Sequence, residues 1–157
     1  MSYVAQNFGL DTVVVFDGYD SKNSTKVAEQ LRRASKQVSR DLMFDAEMRT
    51  VTTQASVVAN GSNKSRLIRM LRKQFEQNNI SSKQAEADAD SLITSTALTL
   101  AKSEQRPIVV IGNDTDLLVI LVSQVTQDMR LYMCGENPPA IYDIQAIQQA
   151  VGHVKAH

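Results

Sequence analysis

The stretch IVVIGNDTDLLVIL, residues Ile108 to Leu121, decides the fold. Ile108–Ile111 are apolar β-formers. The chain then breaks at Gly112-Asn113, and two carboxylates, Asp114 and Asp116, precede a second apolar run from Leu117. An apolar run bounded by turn residues and too short for a helix predicts the buried central strand of a parallel sheet. In open sheets of that kind ligands bind beyond the carboxyl ends of the strands, where Asp114 and Asp116 would project. Two anions so close repel unless a cation or protonation relieves them, and hard oxygen ligands suit Mg²⁺ or Mn²⁺. The competing reading is a turn in which an Asx side chain caps the next segment.

The same arrangement recurs upstream. Thr12–Phe16 (TVVVF) reads as a buried strand ending in Asp17-Gly18-Tyr19-Asp20, so a carboxylate again closes an apolar run. After turn and cap chemistry at Ser21–Thr25, a cation-bearing helix is predicted over Lys26–Ser39, and Asp41–Met48 extends it. The β-branched stretch Thr50–Ala59 reads as an extended loop or peripheral strand ending at an Asn60-Gly61 turn.

Ser62 or Asn63 then caps a helix over Lys64–Gln77. Its residues Leu67, Ile68, Leu71 and Phe75 fall on one arc, with Arg66, Arg69, Arg72 and Lys73 opposite. This is a plain amphipathic surface helix or a phosphate-binding face. Ser81 and Gln84 have the spacing of a capping box, which predicts a helix from Ser81 to Lys102 or Ser103. Glu86 would lie at the edge of its apolar arc, with Asp90 one turn on; in an exposed first turn the helix dipole alone would favour the acids. Beyond the run Leu117–Val122 the chain reads as a strand over Met129–Met133, a loop over Glu136–Pro139, and a short helix over Ile144–Val151 stopped by Gly152. His153 and His157 stand in a tail and read as solvated.

Composition sets the frame. The 157 residues predict one domain, 43% hydrophobic and 22% charged, as in an ordinary globular chain. The single cysteine, Cys134, excludes an internal disulfide and a cysteine-rich zinc site, which permits an intracellular setting, nucleus or cytoplasm. No stretch has the continuous apolar core of a secretory signal or a membrane span, so no membrane is expected. Seventeen basic and seventeen acidic residues cancel, but their distribution does not. Lys64 to Lys73 carries five cations and no acid, whereas Glu86 to Asp90 carries three acids and no cation. That pattern suits an enzyme holding a polyanion near metal ions.

Three blocks carry a resemblance. VFDG (Val15–Gly18) with a cation-bearing helix after it, then EADAD (Glu86–Asp90), then GNDTDLL (Gly112–Leu118) is similar to the flap endonuclease and PIN-like nuclease superfamily. The blocks occur in the family's order and frame residues 13 to about 122. The resemblance implies a three-layer α/β/α fold with a mainly parallel central sheet, like that of 5'-3' exonucleases. It also implies metal-dependent hydrolysis of phosphodiester bonds in DNA or RNA with two divalent ions, Mg²⁺ or Mn²⁺. By position, Asp17 and Glu86 would hold the first ion and Asp114 and Asp116 the second, with Asp88 between them and Asp90 competing for that place. Lys22 or Lys26 would meet the scissile phosphate, with Arg32 or Arg33 further along, and Arg66, Arg69 and Lys73 would bind nucleic acid.

The chain departs from the pattern at both ends. Nothing before Thr12 reads as the family's first strand with its aspartate, and no stretch up to His157 matches its C-terminal helical clamp with a late aspartate, so a fragment of a longer protein or a degenerate copy is expected. Each metal would then want one ligand, and weak metal binding with poor cleavage is expected. The alternative is a non-catalytic nucleic-acid-binding module on the same fold. A topoisomerase–primase-type domain would want Glu where Asp17 stands.

Overall fold

The computed structural model describes residues 3–18, 40–49, 53–86, 88–104, 106–136 and 138–154. The predicted helix over Lys26–Ser39 lies outside them. The chain is of mixed α/β class and forms two compact units, Met1–Ala87 and Asp88–His157. No helix among the described residues is long and apolar enough to cross a membrane.

The first unit contains helix α1 (Tyr3–Phe8), strand β1 (Val13–Phe16), helices α2 (Gln54–Ala59) and α3 (Gly61–Gln77), and strand β2 (Ser81–Gln84). β1 appears where expected but is half-buried along its length. It pairs in parallel with β2, from Val13 opposite Ser81 to Phe16 opposite Gln84. The Ala85 amide extends the ladder by donating to the Phe16 carbonyl at 2.9 Å.

β2 overturns the capping-box helix predicted from Ser81, and the reason lies just upstream. Asn79 adopts the left-handed conformation, with φ of 56°. The Asn79 amide donates to the Glu76 carbonyl and the Ile80 amide to the Phe75 carbonyl, at 3.1 and 2.9 Å. These are the two hydrogen bonds of a Schellman stop, and its usual apolar contact falls on Phe75 and Ile80, both buried. The chain leaves this stop already extended, so Ser81–Gln84 enters the ladder beside β1. Phe75 also stacks on Phe16, with ring centroids 6.1 Å apart, which anchors α3 to β1.

Three further expectations change in this unit. The α3 helix starts at Gly61, not Lys64, because the Asn60 side chain accepts from the Asn63 amide and supplies the cap assigned to Ser62 or Asn63. Gln54–Ala59 is helical and not extended, since Thr53 caps it by accepting from the Ser56 amide. Asp41–Met48 is not helical: the Asp45 carboxylate takes the Glu47 and Met48 amides, both at 3.0 Å, in a local turn. The fully buried Asn63 holds the preceding strand of chain to α3, accepting from the Leu42 amide and donating to the Arg40 carbonyl.

The second unit runs through helix α4 (Ala89–Ser103), strand β3 (Ile108–Ile111), helix α5 (Thr115–Gln124), strands β4 (Leu131–Glu136) and β5 (Pro139–Asp143), and helix α6 (Ile144–Val154). The sheet order is β3-β4-β5, with β3 parallel and β5 antiparallel to β4. The middle place belongs to β4, not to the expected β3. β4 also starts two residues later than predicted: the Met129 amide closes the preceding turn by donating to the Thr126 carbonyl at 3.1 Å. The apolar run Leu117–Val122 is helical, with Leu117 and Leu121 buried one turn apart. The loop expected at Glu136–Pro139 is the turn of the β4–β5 hairpin. α6 continues through Gly152 to Val154, since that glycine does not adopt the left-handed backbone of a helix stop.

The core of this unit joins Ala97 and Ala101 of α4, Val110 of β3, Leu117 and Leu121 of α5, Leu131 and Met133 of β4, and Ile144 of α6. Strand alternation puts Val109, Ile111, Tyr132, Cys134 and Ile141 on the opposite face of the sheet. Val109, Ile111 and Ile141 are exposed there.

The Schellman stop is testable. Asn79→Val forces a β-branched residue into the left-handed region and is expected to cost about 1–2 kcal/mol, whereas Asn79→Gly is expected to be neutral or slightly stabilising. Denaturant unfolding of the three proteins checks the order.

Candidate functional site

The strand pairing of the first unit brings Asp17 and Glu86 together. β1 and β2 are parallel and in register, so both chains leave the sheet at the same edge, Asp17 after Phe16 and Glu86 two residues after Gln84. Gly18 passes so close to this second chain that a Cβ on it would lie 2.3 Å from the Ala85 carbonyl oxygen. Only glycine fits. The Gln84 side-chain amide donates to the Asp17 carbonyl at 3.5 Å, a long contact across the same edge. Both carboxylates are exposed.

In the second unit, Asp114 and Asp116 follow β3 and open α5. Asp114 is the N-cap: its Oδ1 accepts from the Asp116 amide at 2.9 Å. The capping reading of this carboxylate therefore holds locally. Its second oxygen is not consumed by the cap, and the helix dipole stabilises anions at both positions without any cation. The Asn113 side chain lies over Gly135 of β4, 2.8 Å from where a Cβ would stand, so a bare backbone on the neighbouring strand leaves room for the loop that presents Asp114.

Asp88 is the N-cap residue of α4 and Asp90 stands in its first turn. Glu86 precedes this helix in a bend. The expectation that Glu86 and Asp90 share one helical face fails, because residues 81–84 are strand and the helix begins only at Ala89.

Carboxylate oxygens exposed beyond strand ends fit the donor chemistry of Mg²⁺ or Mn²⁺. Mg²⁺ keeps several waters and is commonly held by one or two carboxylates together with substrate phosphates. Within either unit, no three His, Cys, Asp or Glu among the described residues stand close enough to form a metal site.

The predicted cations divide into three groups. Lys22, Lys26, Arg32 and Arg33 lie outside the described residues. Arg66 is committed to its own unit: its guanidinium donates to the Leu42 carbonyl and to Met43 Sδ, pairs with Asp41 at 3.4 Å, and lies over the Phe44 ring. It pins residues 41–44 onto α3. Arg69 and Lys73, by contrast, are exposed.

Arg69 and Lys73 line a cleft of about 730 Å³ between α3 and the start of β2, together with Arg72 and Gln84. Arg72 donates to Gln84 Oε1 at 3.2 Å. Arg72 was visible on the polar arc of the helical wheel but not as part of a site. Gln84 was hidden by its reading as a helix cap; the parallel partner that puts it on a strand is β1, with Phe16 opposite Gln84 and remote from it in sequence.

No family model, curated protein or solved structure matches the chain.

The cap role of Asp114 separates two substitutions. In EDTA, Asp114→Ala is expected to lower stability by about 1 kcal/mol, and Asp114→Asn, which keeps an acceptor, by much less. Thermal or denaturant unfolding monitored by circular dichroism checks this.

Proposed function

We propose that the chain is a divalent-metal-dependent nuclease domain that hydrolyses phosphodiester bonds in DNA or RNA, on a PIN-like three-layer α/β/α fold with a mainly parallel sheet. One observation carries this reading: each acid block stands just beyond the carboxyl end of a parallel strand. Asp17 follows β1, Glu86 follows β2, and Asp114 and Asp116 follow β3. Ligands of open α/β sheets bind at such ends, where side chains of the following loops converge and helices begin. Among the described residues, two of the three strand pairs are parallel. The β3-β4-β5 sheet also carries an apolar second face, as a sheet with helices on both sides does.

In this proposal Asp17 and Glu86 are ligands of one ion and Asp114 and Asp116 of another, with Asp88 as a further ligand. When bound, the ions supply a water of lowered pKa and neutralise charge developing on the phosphate. The chain's own acids hold that cation, and the cations of α3 hold the polyanion. Asp114 keeps its cap in this role, so one oxygen orients it while the other is available.

A specific observation favours a second reading, a nucleic-acid-binding module without catalysis. Asp114 and Asp116 already have a helix-start role that needs no metal. The two readings differ in metal dependence. A nuclease domain is expected to nick a branched DNA or RNA substrate in Mn²⁺, and Asp114→Ala or EDTA is expected to reduce the rate by at least about 100-fold, the scale of losing an electrostatic stabiliser of the transition state. Gel analysis of product formation measures it. Binding that survives both treatments with no cleavage at any Mn²⁺ concentration supports the module instead.

A further inference from the structure

We propose that the cleft between α3 and β2 binds the phosphodiester backbone of a single-stranded nucleic acid through Arg69, Arg72 and Lys73. This deepens the function proposed above and rests on it only for the class of polyanion. Among the described residues, three cations and one acid, Glu76, line the cleft. The three cations lie within one turn of α3, and Arg69 and Lys73 are about 6 Å apart along the axis. A row of cations at that interval meets successive charges of a strand, whereas a lone phosphate would engage only part of it.

The opposite wall is β2, whose Ser81 and Ser82 hydroxyls and Gln84 amide are hydrogen-bonding groups of the kind that contact phosphate and sugar oxygens. No aromatic residue is among the described lining side chains, so the recognition proposed here runs through the phosphates and sequence preference should be slight. The space is that of a small-molecule pocket. A duplex, whose major groove alone is about 12 Å wide, does not enter it.

The cleft also leads to the acid edge. Gln84 accepts from Arg72 on one side and donates to the Asp17 carbonyl on the other. A strand lying along Arg69, Arg72 and Lys73 is therefore directed toward the end of β1, where Asp17 stands beside Glu86.

The test is fluorescence anisotropy of the whole chain with a labelled oligothymidylate of about 15 nucleotides, within the usual span of single-strand clefts. All titrations are done in EDTA, so loss of cleavage cannot be mistaken for loss of the cleft. The combined variant Arg69→Gln, Arg72→Gln, Lys73→Gln is expected to bind at least about tenfold more weakly. The slope of log affinity against log salt should fall by about 2, since each phosphate contact on a single strand contributes about 0.7. Lys102→Gln with Arg130→Gln, which removes two cations outside the cleft, is expected to leave both quantities near wild type. An unchanged circular dichroism spectrum keeps the comparison meaningful, because all three cleft cations are exposed on α3. The proposal is overturned if the folded triple variant binds within twofold of wild type. It is also overturned if a duplex of equal length binds as tightly, or if inorganic phosphate at constant ionic strength displaces the oligonucleotide completely.

Discussion

The parallel pairing of β1 with β2 is the constraint on which the candidate chemistry depends. These two short strands are far apart in sequence, and one of them, Ser-Ser-Lys-Gln, has no apolar residue. Their pairing requires the helix before β2 to stop abruptly, and it does so at Asn79 through the left-handed backbone and the Ile80 amide bond to the Phe75 carbonyl, with both side chains buried. Phe75 then stacks on Phe16, so the residue that seals the helix end also seats the helix on the neighbouring strand. Remove the stop and residues 81–84 would be free to continue as helix. Glu86 would leave the edge it shares with Asp17, and Gln84 would no longer link Arg72 to the Asp17 carbonyl.

The acids of the second unit have a different physical basis. Asp114 and Asp116 sit at the start of α5, where backbone amides and the helix dipole welcome negative charge. Their presence is explained before any cation is invoked. Helix starts that tolerate anions are where evolution can add a metal at little cost to the apo fold, because repulsion between the acids is already offset. The same economy applies to α3. Arg66 is spent on holding residues 41–44, while Arg69, Arg72 and Lys73 are left facing a cleft.

Much of this was legible from residue patterns, and the failures share a cause. β1 and β3 announced themselves as apolar runs closed by acids, and the arc containing Ile68 and Phe75 marked the buried side of α3. The start of α6 was equally plain, since Asp143 takes the Ala146 amide. What was missed is structure decided by distant partners. β2 is polar and mostly exposed, so its strand identity comes from β1 alone. Gln54–Ala59 has β-branched residues, yet the Thr53 cap and burial of Val57 make it helical. Leu117–Val122 fits either period locally, and packing of Leu117 and Leu121 against α4 and the sheet selects helix. The acid blocks were legible as strand ends; which acids become neighbours depended on finding β2.

The central claim is that the strand-end acids take up divalent cations, and the most direct measurement is paramagnetic broadening in the amide spectrum of the whole chain. Substoichiometric Mn²⁺ should broaden the signals around Asp17, Gly18 and Glu86 and around Asp114 and Asp116 before any others. Broadening scattered over exposed acids such as Asp45 and Asp128, with no preference for those five residues, would contradict it.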